Sequence, residues 1–82
     1  MFKLKAPDGR NNITGTKIAE IRKAKGLSQR KLALTMQLMG YNVDHHFIRR
    51  VENGERFVTD IELKLFCQAL KISITDLLDF SY

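Results

Sequence analysis

The chain has 82 residues, which is the length of one small domain. It carries 14 Lys and Arg against 9 Asp and Glu, and the resulting formal net charge of +5 suits a polyanionic partner, above all nucleic acid. The single cysteine excludes an internal disulfide and favours a reducing compartment. No apolar run approaches the roughly 18 residues of a spanning helix, and the first residues lack the apolar core of a signal peptide. These features predict a soluble cytoplasmic protein.

The first fourteen residues differ in pattern from the rest of the chain. Residues 2–5 alternate apolar and basic side chains, and Pro7-Asp8-Gly9 is a turn signature. We therefore predict a short extended arm over residues 1–14 and one domain over residues 15–82.

Five helices are predicted from the apolar spacing and from residues that favour helix ends. The residues suited to begin helices two to five are Ser28, Asp44, Thr59 and Ser73, and the residues suited to end the first three are Gly26, Gly40 and Gly54. Thr59 also forms a capping-box pattern with Glu62. The expected helices span residues 16–25, about 29–39, about 45–53, from 60 onward, and 74 to about 79.

The third predicted helix has two chemically opposite sides. At about 100° per residue, Ile48 and Val51 share one side. The other side carries only histidine and arginine, namely His45, His46, Arg49 and Arg50. Such a face suits the DNA major groove, where an arginine can donate two hydrogen bonds to guanine. The alternative is an ordinary solvated basic face.

Several short stretches together point to one family. They are Ile18-Ala19-Glu20-Ile21-Arg22, Gly26-Leu27-Ser28-Gln29, Leu32-Ala33, Ile48-Arg49-Arg50-Val51-Glu52-Asn53-Gly54, and Ala69-Leu70-Lys71-Ile72-Ser73 with Leu77-Leu78. With these stretches, residues 14–78 resemble the Cro/CI repressor-type (XRE-family) helix-turn-helix proteins. The resemblance implies an all-α, five-helix, lambda-repressor-like fold and double-stranded DNA as the partner.

The resemblance also implies roles for individual residues. Those expected to touch base edges are His45, His46 and Arg50. Arg49 is added as a fourth candidate because it lies on the same outward side of the predicted helix. Those expected to hold the phosphate backbone are Gln29, Asn53 and Arg56. The start of the second helix favours phosphate in any case, because its backbone N–H groups are free.

The resemblance also implies one ion pair, and the chain differs from the family in the length of one segment. Arg22 and Glu52 are expected to form a buried or half-buried ion pair that locks the first helix to the third. Between Leu32-Ala33 and Glu52 the chain has about five residues more than the family usually has, which affects how the third helix meets the groove. The excess implies either a longer second helix or a wider turn.

Other candidate sites favour structural interpretations. His45 and His46 are adjacent and have no Cys or carboxylate at metal-ligand spacing, so we expect no metal. Cys67 is expected to be a packed core thiol. The sequence has no catalytic triad, carboxylate dyad or glycine-rich phosphate loop, so we predict no enzymatic activity and no cofactor.

Five apolar or aromatic residues have two interpretations. Ile61 and Leu65 lie off the predicted core stripe of the fourth helix, so they form either an extended edge of the core or a surface for a second copy. Phe80 and Tyr82 could belong to the same surface. Phe47 is expected to pack beside the core, with contact to a thymine methyl as the alternative.

The sequence thus predicts a sequence-specific DNA-binding regulator, most simply a repressor that binds as a homodimer to two half-sites. The alternative is a protein-interaction module of the same fold, such as an antitoxin or a partner-binding regulator. The basic outward side of the third helix favours DNA, because an apolar side there would favour protein. A membrane-surface binder is disfavoured, since the basic residues do not lie on a long amphipathic helix.

Overall fold

A computed structural model describes residues 5–78 of the chain. This part forms five helices and no strand, which confirms the predicted fold class. The helices are α1 (Gly15–Ala24), α2 (Gln29–Leu38), α3 (His45–Glu52), α4 (Asp60–Leu70) and α5 (Ile74–Leu77). None of them is long and apolar enough to cross a membrane. The start of the arm, the expected end of the fifth helix, Phe80 and Tyr82 lie outside the described residues.

Side-chain caps begin four of the five helices. The capping residues are Ser28, Asp44, Thr59 and Ser73, and each accepts a hydrogen bond from the backbone N–H three residues later. These bonds satisfy N–H groups that have no partner within the helix. The caps therefore explain why the predicted starts of these helices agree with the structure.

One core joins the five helices. Its buried side chains are Ile18, Leu32, Ala33, Met36, Ile48, Val51, Leu65, Phe66, Cys67, Ala69, Leu70 and Leu77. Leu63 of α4 is half-buried and packs against this core. Leu65 is 3% exposed, so its interpretation as a surface for a second copy is wrong, whereas Ile61 is 71% exposed. The difference arises because α4 packs against α1, α2 and α5 and buries a wide side.

The additional residues between α2 and α3 form a wide, ordered connection. The helix ends at Leu38, and residues 39–44 lead to α3. The Tyr41 N–H donates to the Met36 carbonyl at 3.1 Å, and the Gly40 N–H donates to the Gln37 carbonyl at 3.0 Å. This is the hydrogen-bond pattern of a Schellman helix end. The Gln37 side chain also donates to the Val43 carbonyl at 2.7 Å, which closes the connection.

The start of α1 lies directly against the end of α3. A Cβ atom added to Gly15 would be 2.0 Å from the Val51 carbonyl oxygen, so only glycine permits this approach. The last turn of α3 therefore packs directly against the first turn of α1.

Candidate nucleic-acid interface

Helix α3 presents a basic side to solvent. Ile48 and Val51 anchor its other side in the core and have no exposed surface. The outward residues are His45, which is half-buried, and the exposed His46, Arg49 and Arg50. The four residues proposed from the sequence as base contacts therefore share one accessible helix side.

The two histidines of α3 contact each other. Their ring centroids are 4.1 Å apart, with the planes tilted by 35°. Desolvation and the positive charge of Arg30 lower the pKa of His45, although Asp44 opposes the shift. This shift favours the neutral His45 ring, which has one donor and one acceptor nitrogen. Within residues 5–78, no group of three His, Cys, Asp or Glu side chains could hold a metal ion.

An open cleft lies beside the basic side of α3. His46 and Arg50 line it together with residues from the α2–α3 connection and from the segment that follows α3. These further lining residues include Asn42, Asp44, Arg56 and Glu62. Asn42, which was not predicted from the sequence, is exposed and lies near the outward residues of α3. The only signal for it was the additional length of this connection.

Arg22 and Glu52 form an ion pair between α1 and α3. Arg22 Nε donates to Glu52 Oε2 at 2.7 Å, and Arg22 Nη2 donates to Oε1 at 3.0 Å. The two side chains are 9% and 6% exposed. The third guanidinium nitrogen, Nη1, donates to the Leu27 carbonyl at 2.7 Å. The hydrogen bond to Glu52 raises the pKa of Arg22 above its already high ordinary value.

Gln29 joins the same network at the start of α2. Its Nε2 donates to Glu52 Oε1 at 3.0 Å, so Glu52 connects α3 to both α1 and α2. An amide nitrogen has two hydrogens to donate. One therefore holds Glu52 and the second is left for an acceptor such as a phosphate oxygen.

The segment after α3 holds the other two proposed phosphate contacts. Asn53 donates to Glu55 Oε2 at 3.1 Å. Arg56 forms an ion pair with Glu62 and lies 4.9 Å above the ring of Phe47. That ring stacks on Phe66 at 5.6 Å, an arrangement that favours the packing interpretation of Phe47. Both polar side chains thus have partners within the chain, and a phosphate would have to share or replace them.

Residues 10–12 of the predicted arm bind the end of α3, a contact that was not predicted from the sequence. Arg10 Nη2 donates to the Glu52 carbonyl at 2.5 Å, and the Asn11 side chain donates to the Glu55 carbonyl at 2.8 Å. Asn12 Nδ2 donates to the carbonyls of Val51 at 3.0 Å and Arg56 at 2.8 Å. A consecutive run of long polar side chains before α1 was the only sequence signal.

Comparisons with known proteins agree with this architecture. A family model described as helix-turn-helix matches residues 18–77. The restriction-modification controller protein C.AhdI from Aeromonas hydrophila is 33% identical, with a TM-score of 0.68 over 78% of this chain and 86% of that chain. The clp gene regulator ClgR from C. glutamicum is 27% identical, with a TM-score of 0.72 over 82% of this chain and 80% of that chain. No curated protein sequence matches.

The family match includes all of α2, α3 and α4, and therefore the whole basic side described above. The two solved structures share the fold over most of their own length as well as over most of this chain. The chain therefore belongs to the Cro/CI repressor-type helix-turn-helix family of DNA-binding transcriptional regulators.

Proposed function

We propose that this chain is a sequence-specific transcriptional repressor of the cytoplasm that binds double-stranded DNA as a homodimer, with α3 in the major groove. The observation that carries the proposal is the contrast between the two sides of α3. One side is fully buried through Ile48 and Val51, and the other presents four histidine and arginine side chains. A helix held in this way has a fixed outward side, as base recognition requires.

We assign base recognition to the outward residues of α3. Arg49 and Arg50 have the donor geometry for guanine, and the two histidines can donate to or accept from base edges. Gln29, at the start of α2, is assigned to a phosphate because free N–H groups surround it there. Asn53 and Arg56 follow α3 and are assigned to the next stretch of the backbone.

Two copies of the chain are needed for a site of useful length. One recognition helix contacts only a few base pairs, whereas a two-fold dimer places two such helices on successive major grooves. Exposed apolar side chains of α4, of α5 and of the residue directly after α5 support such pairing. They are Ile61 (71% exposed), Ile74 (45%) and Leu78 (46%). Regulation of gene expression is in keeping with the similar structures, one a controller protein and one a gene regulator.

DNA binding should weaken steeply as salt is added. Each phosphate contact releases condensed counterions, so the logarithm of the binding constant falls linearly with that of the salt concentration, with a slope of about −0.9 per contact. Only contacts from Lys or Arg displace a counterion, so among the three proposed phosphate contacts Arg56 alone contributes, with about −2 for a dimer, and other basic side chains that face the DNA add to this value. Fluorescence anisotropy of a labelled duplex at four salt concentrations measures this slope.

Arg56→Gln is the matched variant for this experiment, because it removes one proposed phosphate contact from each chain. It should make the slope shallower by about 2 for a dimer. Binding that does not change with salt would contradict the electrostatic part of the proposal. Failure to bind any duplex at low salt would favour the protein-interaction alternative.

A further inference from the structure

We propose that Arg10 and Asn12 are positioning residues for base recognition: they hold the backbone of the last turn of α3 and so fix the angle of that helix in the groove. This inference rests on the proposed function. It assigns a role to residues that precede the matched region, which begins at residue 18.

The last turn of α3 is held by donors from residues 10–12, which we call the arm clamp. The C-terminal carbonyls of a helix have no partner within the helix. Here Arg10 Nη2 donates to the Glu52 carbonyl at 2.5 Å, and Asn12 Nδ2 donates to the Val51 carbonyl at 3.0 Å. The Asn11 backbone N–H donates to the Gly54 carbonyl at 2.9 Å. Three consecutive residues thus donate to three carbonyls at this helix end, of which that of Val51 also accepts from the Gly54 N–H at 3.1 Å.

Asn12 connects three separate pieces of backbone. It is 9% exposed, and its Nδ2 spans the carbonyls of Val51 and Arg56, at 3.0 and 2.8 Å. Its Oδ1 accepts from the Gly15 N–H at 2.8 Å, in the place of a side-chain cap on α1. Buried polar groups with all their partners present are rigid and specify one arrangement. The amide of Asn12 therefore joins the start of α1, the end of α3 and the segment with Arg56.

Arg10 adds charge to this joint. The end of a helix carries a partial negative charge, which repels DNA phosphates and attracts a cation. The Arg10 guanidinium lies against this end, and it packs so closely over Gly54 that a Cβ there would be 2.7 Å from its Cζ atom. Gly54 has a φ of +77°, which glycine adopts without strain. The end of α3 is thus both neutralised and covered by Arg10.

The clamp acts on the same turn that carries Arg50. The Arg50 carbonyl accepts from the Glu55 N–H at 3.0 Å, and Val51 and Glu52, the residues bound by the clamp, follow it directly. Glu52 is held at two points, because Arg22 binds its side chain and Arg10 binds its carbonyl. Loss of the hydrogen bond from Arg10 to the Glu52 carbonyl leaves α3 folded and attached through the Arg22–Glu52 ion pair, but free to change its tilt. Base contacts depend on that tilt, whereas non-specific phosphate attraction does not.

The test compares affinity for the preferred duplex with affinity for an unrelated duplex of equal length, well below the melting temperature of each variant. Arg10→Ala and Asn12→Asp should each reduce the ratio of the two affinities at least about tenfold, which is the scale of one lost base contact. Arg10→Lys keeps the cation and one donor and should restore most of the ratio. Lys71→Asn removes one positive charge at the left-handed turn after α4 and is the charge-matched control, with an unchanged ratio.

A double-mutant cycle separates positioning from a loss of fold stability. If Arg10 acts through Arg50, the combined Arg10→Ala and Arg50→Ala variant should lose less than the sum of the two single losses. If Arg10→Ala does not fold, Arg10→Gln replaces it, since the shorter Gln side chain keeps part of the packing over Gly54 but does not reach the Glu52 carbonyl that Arg10 Nη2 binds. Full discrimination between duplexes by folded Arg10→Ala (or Arg10→Gln) and Asn12→Asp overturns this inference alone. Absence of any preferred duplex for the unaltered chain overturns the proposed function together with the inference.

Discussion

Replacement of Glu52 by alanine is expected to lower the free energy of unfolding by about 3–5 kcal/mol, because it leaves a buried charge without its partner. The Arg22 side chain is 9% exposed and would keep only its bond to the Leu27 carbonyl. Gln29 would lose its partner as well. Thermal and urea unfolding of the variant measure the loss.

The two single variants and the double variant complete this experiment. Because the Arg22 and Glu52 side chains interact, the combined loss for Arg22→Ala with Glu52→Ala should be smaller than the sum of the single losses. Glu55→Ala, an exposed carboxylate three residues later, is the matched control and should change stability by no more than about 0.5 kcal/mol. Additive losses of about 0–1 kcal/mol each, as for an exposed pair, would contradict the account.

Arg50→Ala is expected to weaken binding to the preferred duplex by about 1–3 kcal/mol, or roughly fivefold to more than a hundredfold, and to relax the preference at one base pair per half-site. The reason is that Arg50 is exposed on the outward side of α3 and lines the cleft beside it. Selection of binding sites from random duplexes, repeated with the variant, shows both the lost affinity and the position at which preference is lost.

Gln29→Ala and Arg49→Ala provide the comparison for Arg50. Gln29 is assigned to phosphate, so its replacement should weaken binding to all sequences by a similar factor and leave the selected site unchanged. If Arg50→Ala keeps the selected site while Arg49→Ala loses it, the assignment of base recognition to Arg50 is wrong, although DNA binding itself survives. The wide α2–α3 connection makes this comparison necessary, because it bears on the tilt of α3.

Local signals in the sequence account for most of the predicted fold. Caps such as Asp44 and Thr59 act within one helical turn, and the structure contains their hydrogen bonds. The two apolar anchors of α3 could also be predicted from the sequence, because helical periodicity places Ile48 and Val51 on one side. The buried side of α4 was harder to predict, since burial of Leu65 depends on the three helices packed against α4 rather than on spacing within one helix.

The contacts of residues 10–12 and the path of residues 39–44 could not be predicted from the sequence. The bond from Asn12 to Val51 joins residues 39 positions apart, and no local pattern specifies such a pair. The bond from Gln37 to Val43 is nearer, but a side chain that donates to a loop carbonyl leaves no periodic signal. The partners of Arg56 were missed for a similar reason. Its ion pair with Glu62 depends on the angle at which the chain enters α4.

Selection of binding sites from random duplex DNA tests the central claim most directly. The account predicts one enriched sequence with two inverted half-sites, spaced by about 10 base pairs or a multiple of that distance, because a two-fold dimer places its recognition helices one turn apart. Enrichment of no sequence, with salt-sensitive binding to every duplex, would contradict the claim that α3 recognises bases. A single half-site without its inverted copy would retain base recognition and contradict the homodimer.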